Sequence, residues 1–381
     1  MINRRDFIKA IGIAAGGTTL TGLSGLANAA GSTAKGHIVV VGGGFGGATV
    51  AKYLRMWSQG SVDVTLIERN TRFVSCPISN LVIGGLQQMD DITVSYDNLR
   101  ENWGVKVITD EVTALDPDKR MVTTARHGTL GYDRVVLSPG IDFIPGAVAG
   151  LDGNEELVPH AWKAGPQTAL LRKQLEDMPD GGVFALTIPR APYRCPPGPY
   201  ERACLVANYL RDTKPKSKVL VLDANDEIQS KKGLFTKAFE SYGALLEYVP
   251  GSKLEGVDAA SRKARLEFDE IKADVLNVIP PMRAGNIAAQ AGLPLINERW
   301  VDVEWLSMEA KGVPGVHVIG DAIFPAPTMP KSGHMANQHG KLVAAAILNL
   351  LEGKAPNAAP VLMNNYTKKA KKYSHSHPNK P

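Results

Sequence analysis

Short apolar runs and longer helical patterns alternate along this 381-residue chain, and that alternation predicts an α/β protein. The clearest unit begins with the apolar run 37–41, which is predicted to be a buried strand. A glycine-rich turn and a helical pattern follow it. The next apolar run, Val62 to Ile67, predicts a second strand that ends directly before Glu68. This order of strand, turn, helix and strand is typical of a nucleotide-binding half-domain.

The turn places Gly42, Gly44 and Gly47 in the spacing G-x-G-x-x-G. The first glycine permits a tight turn, the second lets the backbone approach a pyrophosphate, and the third lets the helix pack on the strand. Phosphates would bind the free N–H groups at the helix N-terminus. Glu68, followed by Arg69, stands where an acid accepts ribose hydroxyls. The pattern predicts a dinucleotide site, with FAD and NAD both open; a bare strand–turn–helix is the alternative.

Further segments complete this half-domain. The run 105–108 predicts a short strand, and Val112 lies just beyond it, where an adenine edge would be contacted. A helical pattern spans Asp91 to Trp103. A strand-like run that ends at Gly140 completes the predicted nucleotide-binding half-sheet, and the Gly/Pro-rich stretch 141–153 predicts a domain boundary.

A second unit repeats this order of elements without the glycine motif. The apolar run 182–188 predicts a buried strand, and the turn 189–199 after it carries five prolines and Cys195. Proline has no N–H to offer a phosphate, so this unit is predicted to bind no NAD. Asp223 occupies the place that Glu68 has in the first unit and is predicted to be a turn residue.

The chain is then expected to return to the first domain. An apolar run leads into Gly320 and Asp321, and an Ala/Leu-rich helix is predicted from Ser332 to Leu351. In flavoproteins with two dinucleotide-binding domains, such a Gly-Asp pair contacts the ribityl and pyrophosphate groups, and the positive end of the next helix faces the flavin. This favours FAD. His334 and His339 are expected in packing or surface positions, with a catalytic role as the alternative.

The N-terminus has the pattern of a targeting segment. Arg4 and Arg5 form a twin-arginine motif, an apolar run follows at 11–26, and 27–29 is a small-x-small cleavage site. This predicts export to the periplasm; a disordered tail is the alternative. The expected organisation is a signal peptide (1–30), an FAD-binding domain (34–150), a second Rossmann-like domain without an NAD loop (151–290), a return to the FAD-binding domain (291–355) and an unstructured basic tail (356–381).

Composition narrows the classes of function. The net charge of +5 is concentrated at the chain ends, and no basic stripe with interleaved aromatics accompanies it, so nucleic-acid binding is not expected. The N-terminal apolar run is too short and glycine-rich for a span of about 20 residues, so stable membrane insertion is not expected either. No metal site is predicted.

The three cysteines allow at most one disulfide. Cys195 precedes a predicted helix whose N-terminus is expected to lower the pKa of its thiol, with help from the arginines at 190, 194 and 202. A redox or nucleophilic role is predicted for it, and a structural thiol is the alternative. Glu201, on the first turn of that helix, is placed to move protons. Cys204 is expected to be a small core residue, whereas Cys76, after Glu68, has a buried free thiol as its simplest interpretation.

Several of these segments together resemble one family, the flavoprotein subunit of flavocytochrome c sulfide dehydrogenase, a relative of sulfide:quinone reductases. The segments are the glycine motif, 72–80 around Cys76, 132–140, 193–203 around Cys195, 319–321 and 330–341. The resemblance extends from the twin-arginine motif to about Asn364. It implies an α/β fold with two Rossmann-like dinucleotide-binding domains of the glutathione-reductase type.

The resemblance also implies a chemistry for the cysteines. It implies FAD bound covalently through an 8α-methyl thioether, for which the matching residue is Cys76, and a redox disulfide over the flavin, one half of which matches Cys195. The other half lies near the C-terminus of the family in an Asn-Thr-Cys-Tyr context, where this sequence has Asn364, Asn365 and Tyr366. A shortened version of the family, without its C-terminal subdomain, is therefore expected.

The function implied is oxidation of hydrosulfide to sulfane sulfur or polysulfide, in which the attacking species is an anion. Electrons would leave through a c-type cytochrome subunit, and because this chain has no Cys-x-x-Cys-His motif, any haem would belong to that subunit. Two alternatives stay open. One is a non-catalytic or accessory flavoprotein of sulfur oxidation, which the missing cysteine favours; the other is an enzyme like sulfide:quinone reductase, which the export signal counts against.

Overall fold

A five-stranded parallel sheet is the centre of the first half of the protein. The structure is a computed structural model that describes Ser32 and residues 34–358, so the expected signal peptide and residues 359–381 of the expected basic tail lie outside the described residues. The sheet has the order β21-β9-β1-β2-β5, and its strands are β1 (Gly36–Val41), β2 (Val62–Glu68), β5 (Lys106–Thr109), β9 (Arg134–Leu137) and β21 (Val316–Val318).

A second parallel sheet forms the centre of the intervening segment. Its order is β13-β12-β11-β17, with β11 (Val183–Ile188), β12 (Lys218–Asp223), β13 (Leu246–Val249) and β17 (Val275–Val278). The strands of both sheets are largely buried, as expected where helices cover both faces of a parallel sheet. Two parallel sheets with covering helices confirm the predicted α/β class.

Antiparallel strands decorate the two sheets. One three-stranded sheet consists of β6 (Val112–Asp116), β7 (Met121–Thr124) and β8 (Gly128–Gly131). Another consists of β14 (Leu254–Asp258), β15 (Lys263–Leu266) and β16 (Glu270–Lys272). Three pairs are β3 (Arg72–Val74) with β4 (Thr93–Ser95), β10 (Ile141–Phe143) with β18 (Met282–Ala284), and β19 (Leu295–Ile296) with β20 (Trp300–Val301). The chain passes between the two parallel sheets after β9 and again after β17, and the β10–β18 pair joins these two connecting segments.

The helices are α1 (Phe45–Trp57), α2 (Ser79–Ile83), α3 (Asp97–Trp103), α4 (Pro166–Asp177), α5 (Gly198–Thr213), α6 (Lys232–Tyr242), α7 (Ile287–Gln290) and α8 (Gly333–Leu351). Single 3₁₀ turns occur at Asp90–Ile92, Gly243–Leu245 and Gly320–Ala322. No helix within the described residues is long and apolar enough to cross a membrane.

The turn between β1 and α1 is shaped by close backbone approaches. Gly42 has a φ of +96°, and a Cβ there would lie 2.4 Å from the carbonyl oxygen of Ser138. A Cβ on Gly47 would lie 1.9 Å from the carbonyl oxygen of Gly42, so only glycine fits between helix and strand. Gly44, by contrast, faces open space. Gly42 and Gly47 thus have the two packing roles that the spacing predicts, and the approach of Gly44 to a pyrophosphate stays a prediction.

The long C-terminal helix packs directly on α1. A Cβ on Gly340 would lie 2.8 Å from the carbonyl oxygen of Gly46, and the Asn337 Nδ2 donates to Thr49 Oγ1 at 2.8 Å. Ser332 caps α8 by accepting a hydrogen bond from the backbone N–H of Met335 at 3.2 Å. The helix predicted from Ser332 to Leu351 is therefore confirmed.

One predicted helix is wrong in its first half. Residues 93–95 form β4, which pairs with β3, and only Asp97–Trp103 is an α-helix. Thr93 and Val94 are β-branched, and pairing with the strand at Arg72–Val74 outweighs the helical spacing of the apolar residues.

The glycine contacts generate a stability prediction. Gly47→Ala is expected to lower the free energy of unfolding by about 1–3 kcal/mol, because the new methyl group meets backbone that cannot move aside. Gly44→Ala is the matched control and is expected to cost less than about 1 kcal/mol, since its Cβ points into open space. Urea unfolding of both variants measures the difference, and equal destabilisation would contradict the packing argument.

Candidate active site

The predicted nucleotide end lies where β1 passes into α1. Gly44 caps this helix without any side-chain hydrogen bond, so the first-turn N–H groups face a space that a phosphate would fill. Glu68 is half-buried beside the turn and accepts a hydrogen bond from the Gly43 N–H at 2.7 Å. Its other oxygen accepts from the Asn70 backbone and side chain at 2.9 and 2.8 Å. The acid is thereby oriented at the end of β2.

Three other predicted cofactor residues border the same sheet edge. Arg69 is exposed next to Glu68, and Val112 is half-buried at the start of β6. Gly140 follows β9 with a φ of +66° and has open space where a Cβ would point. The structure brings these residues to the carboxyl ends of the parallel strands, the edge at which open α/β sheets bind ligands. Their contact with a cofactor stays a prediction.

The predicted flavin end lies where β21 leads into α8. Gly320 has a φ of +74°, and its N–H donates to His339 Nδ1 at 3.2 Å. Accepting this bond leaves the proton on His339 Nε2, which is buried without a hydrogen-bond partner within the described residues. Asp321 Oδ1 is likewise buried and unpartnered there. Two orphaned polar atoms beside the Gly320 turn fit a cofactor that carries hydroxyl and carbonyl groups, as FAD does.

Burial controls the ionisation of both groups. It raises the pKa of the Asp321 carboxyl, which the charges of Arg194 and Lys331 only partly offset. It lowers the pKa of His339 to about 4, with Lys331 adding to the effect. His339 is therefore neutral at pH 7 and is a packed residue of α8, as expected.

Cys195 is held at the junction of the two halves. Its N–H donates to the Lys331 carbonyl oxygen at 2.7 Å, and its own carbonyl oxygen accepts from the Gly198 N–H at 2.8 Å. The residue has a φ of +57°, an unusual conformation for a cysteine that these two bonds maintain. A Cβ on Gly198 would lie 3.0 Å from the Cys195 sulfur, so the thiol rests on the first turn of α5.

The expected lowering of the thiol pKa is wrong for this structure. Burial raises the pKa of Cys195 to about 11, and the charges of Glu201 and Asp321 act in the same direction. Arg194 opposes them, and so does the Gly198 N–H. Arg190 is exposed and its charge acts on Lys253, so it does not contribute as expected. The helix terminus helps the anion, but desolvation outweighs it.

Cys76 lies in the turn between β3 and α2. Its sulfur accepts a hydrogen bond from the Ala164 N–H at 3.3 Å, and its carbonyl oxygen accepts from Ser79 Oγ at 2.7 Å. All three cysteines are free thiols in this structure. The sulfur of Cys76 is thus directed toward the 159–164 segment, which runs between the two halves of the protein.

The 159–164 segment connects the two cysteine loops and was missed by the sequence analysis. Arg194, next to Cys195, donates to the Trp162 carbonyl oxygen, and the Ala164 N–H reaches Cys76. Arg202 donates to the carbonyl oxygens of His160 and Ala161 at 3.0 and 2.6 Å. The segment carries no motif and no hydrophobic periodicity, so its role becomes visible only from these long-range contacts.

Lys331 is a second site residue that the sequence analysis did not single out. Its ammonium group is buried and donates to the carbonyl oxygens of Asp321 and Ile323 at 2.9 and 2.5 Å. It also lies 3.5 Å from the centroid of the Trp300 ring. Burial lowers the pKa of this lysine to about 7. The same residue thus fixes the Asp321 turn through its side chain and the Cys195 loop through its backbone.

The nucleotide position of the second sheet is filled by protein. The prediction that Asp223 is a turn residue is wrong. It is the fully buried last residue of β12. Its carboxylate accepts from Tyr200 at 2.7 Å, Tyr248 at 3.0 Å and the Asn225 side chain at 2.7 Å. Because Tyr200 belongs to α5 and is itself fully buried, a ribose has no free access to this acid.

The remaining predicted residues lie on α5. Glu201 is exposed, and its carboxylate accepts from Asn80 Nδ2 at 3.3 Å. Cys204 is half-buried, and its sulfur acts on the pKa of Tyr242 on the neighbouring helix α6. It packs against the hydrophobic core, as expected.

Comparisons with known proteins agree with this geometry. The profile described as pyridine nucleotide-disulphide oxidoreductase matches residues 36–177, and the one described as sulfide dehydrogenase (flavocytochrome c) flavoprotein chain, central, matches 168–280. The flavoprotein chain of sulfide dehydrogenase (flavocytochrome c) from Chlorobaculum thiosulfatiphilum is 62% identical over 46 residues, which are 12% of this chain and 94% of that sequence.

Longer but more distant matches cover most of the chain. The mitochondrial sulfide:quinone oxidoreductase of Dictyostelium discoideum is 24% identical over 342 residues, 86% of this chain and 70% of that protein. The X-ray structure of sulfide:quinone oxidoreductase from Aquifex aeolicus superposes with a TM-score of 0.72 at 20% identity, covering 84% of this chain and 78% of that one. The fold with two dinucleotide-binding domains of the glutathione-reductase type is thereby confirmed.

The glycine turn, the Gly320–Asp321 turn and the two cysteine loops are thus set in the fold that these relatives share. The chain belongs to the family of the flavocytochrome c sulfide dehydrogenase flavoprotein chain, within the pyridine nucleotide-disulphide oxidoreductases, and is related to the sulfide:quinone oxidoreductases.

Proposed function

We propose that this protein is an FAD-dependent oxidoreductase that oxidises hydrosulfide to sulfane sulfur or polysulfide, with Cys195 as the reacting thiol. The observation that carries the proposal is the 2.7 Å hydrogen bond from the Cys195 N–H to the Lys331 carbonyl oxygen. It joins the Cys195 loop to Lys331, whose side chain donates to the carbonyl oxygen of Asp321, the residue whose orphaned carboxylate oxygen fits the flavin end of FAD. Membership of the sulfide dehydrogenase family supports the choice of substrate.

Two parts of the first domain would bind different groups of FAD. The first-turn N–H groups of α1 and the carboxylate of Glu68 would hold the pyrophosphate and the ribose, while Gly320 and Asp321 would hold the ribityl chain. When bound, the flavin supplies a two-electron acceptor. Glu201 is exposed near the Cys195 loop and is the proposed carrier of protons to and from the sulfur.

Cys76 is proposed as the covalent attachment point for FAD. Its sulfur is free, and it accepts one weak hydrogen bond from the Ala164 N–H at 3.3 Å, so it is available for a thioether. The turn that carries it is fixed from both sides, by Ser79 and by the pairing of β3 with β4. A rigid turn positions the sulfur for bond formation at one defined atom.

A c-type cytochrome subunit is the proposed electron acceptor, and the periplasm the proposed location. Membership of the family of flavocytochrome c flavoprotein chains supports the acceptor. The twin-arginine pattern at Arg4 and Arg5 supports export. NADH is not proposed as a donor, since Tyr200 and Asp223 close the nucleotide position of the second sheet.

An accessory flavoprotein of sulfur oxidation is the second candidate. The sequence contains three cysteines, and Cys204 packs toward α6 while Cys195 faces Lys331. No second thiol is therefore paired with Cys195 in the described part of the chain. This favours a protein that binds FAD and a partner without turning over sulfide.

The attachment of FAD is tested by its resistance to denaturation. Wild-type holoprotein is expected to keep its yellow colour after acid precipitation, because a thioether survives unfolding, whereas Cys76→Ser is expected to release all of it. Cys204→Ser is the matched control and should keep the colour. Visible absorbance of the washed precipitate gives the result, and a yellow Cys76→Ser precipitate would refute the assignment.

The donor is tested by anaerobic bleaching of the oxidised flavin. Sulfide is expected to bleach the wild type and Cys204→Ser, and the electrons should reach added ferricytochrome c. Cys195→Ser should lose this reaction, and NADH should produce no comparable bleaching in any variant. If sulfide leaves the wild-type spectrum unchanged, the accessory role is correct; rapid reduction by NADH would contradict the closed nucleotide position.

A further inference from the structure

Arg202 is a buried cation without a buried anion beside it. Its side chain is 1% exposed and is among the largest fully buried side chains of the protein. Its Nε donates to Asn80 Oδ1 at 3.0 Å and its Nη1 to Asn277 Oδ1 at 2.8 Å. The other two bonds reach the carbonyl oxygens of His160 and Ala161. All four acceptors are neutral, and within the described residues the guanidinium forms no ion pair.

Such a charge is costly unless something compensates it. Burying an ion has a desolvation free energy of about several kcal/mol even after the protein relaxes, and hydrogen bonds to neutral dipoles offset only part of it. Burial accordingly lowers the pKa of Arg202, but a guanidinium stays protonated in proteins. The groups that favour its charged form are the sulfur atoms of Cys195 and Cys76. The positive charge is thus within reach of both thiols.

The guanidinium of Arg202 and the sulfur of Cys195 both lie next to the Trp162 ring. The guanidinium lies 4.9 Å from the centroid of the Trp162 ring. The far edge of that ring and the Cys195 sulfur are both next to Gly198. A Cβ built on Gly198 would lie 2.8 Å from Trp162 Cη2 and 3.0 Å from Cys195 Sγ. Trp162 is 5% exposed, so a buried apolar ring lies next to both the charge and the sulfur. An interaction across such a medium is screened less than one across water.

We propose that Arg202 is a positioning residue whose buried positive charge is compensated by the thiolate form of Cys195. The inference rests on the proposed function of Cys195 and adds a residue whose charge stabilises the Cys195 thiolate against desolvation. Coupling is reciprocal: a sulfur anion that stabilises the guanidinium is stabilised by it to the same extent. When the thiol ionises, its proton leaves to solvent and no other bond changes.

Other charges act on the same sulfur and must be separated from Arg202. The groups facing the Cys195–Arg202 region from the packed elements are Tyr193, Arg194, Glu201, Asp321, Lys331, His160 and Cys76. Arg194 is the second cation, and its effect on the Cys195 pKa, which opposes those of Glu201 and Asp321, is larger than that of Arg202. It is half-buried, whereas Arg202 is shielded from solvent.

The test is the pH dependence of Cys195 alkylation in the reduced holoprotein. The thiolate is the reacting form, so the rate at a fixed pH below the pKa follows the thiolate fraction. Arg202→Met is expected to slow alkylation by iodoacetamide about tenfold, the change that corresponds to one pKa unit. Arg202→Lys keeps the charge and should restore most of the rate. Arg211→Met, an exposed position on the same helix, should leave it unchanged.

A second pair of variants leaves Arg202 in place and avoids the risk that Arg202→Met does not fold. Asp and Asn both tolerate the positive φ of position 195, so Cys195→Asp and Cys195→Asn differ mainly in charge. Because burial disfavours any anion at this position, Cys195→Asp is expected to melt below Cys195→Asn at pH 7. The gap should be smaller than that between Cys204→Asp and Cys204→Asn, since the groups that shift the pKa of Cys204 include no cation. Both gaps should close as the pH falls through the carboxyl pKa. Arg194→Met in both backgrounds measures the share of the second cation.

Two results would overturn the proposal. One is an unchanged alkylation profile in folded Arg202→Met protein; the other is a melting-temperature gap between Cys195→Asp and Cys195→Asn at pH 7 that is as wide as the gap between Cys204→Asp and Cys204→Asn. Neither experiment uses sulfide. A failure of sulfide to bleach the flavin would refute the proposed enzymatic function and leave these results standing, so the two failures are distinguishable.

Discussion

The pairing of β21 with β9 is the interaction on which the site depends. Val316–Val318 join the first sheet in parallel with Val135–Leu137, across more than 170 residues of intervening chain. This pairing brings the Gly320–Asp321 turn beside the glycine turn of α1, and it carries Lys331 to the backbone of Cys195. Without it, the phosphate end, the flavin end and the thiol would lie on separate parts of the chain.

Local sequence predicted what local interactions determine. The β1–α1 turn was predictable because Gly42 has a positive φ and Gly47 packs against the Gly42 backbone five residues before it, and the start of α8 because Ser332 supplies its own cap. The β4 strand was not, since residues 93–95 adopt it only by pairing with Arg72–Val74. In that case a partner 20 residues away decided the structure.

Ionisation at the site was the least predictable property. The helix N-terminus at Cys195 is visible in the sequence, but the desolvation that reverses its effect comes from Trp162 and from the loop at Lys331. The closure of the second nucleotide position is similar. Its prolines are visible in the sequence, whereas the buried contact between Tyr200 and Asp223 requires the fold. Both cases turn on burial, which a motif does not record.

The packing of α8 against α1 also affects when the site can form. The N-terminal α1 meets its partner, through Thr49 and Asn337, only after almost 290 further residues have been synthesised. Contacts of such high sequence separation form late, because loop closure must precede them. A growing chain therefore completes the second sheet before the first, and tight retention of the dinucleotide must await release of α8 from the ribosome.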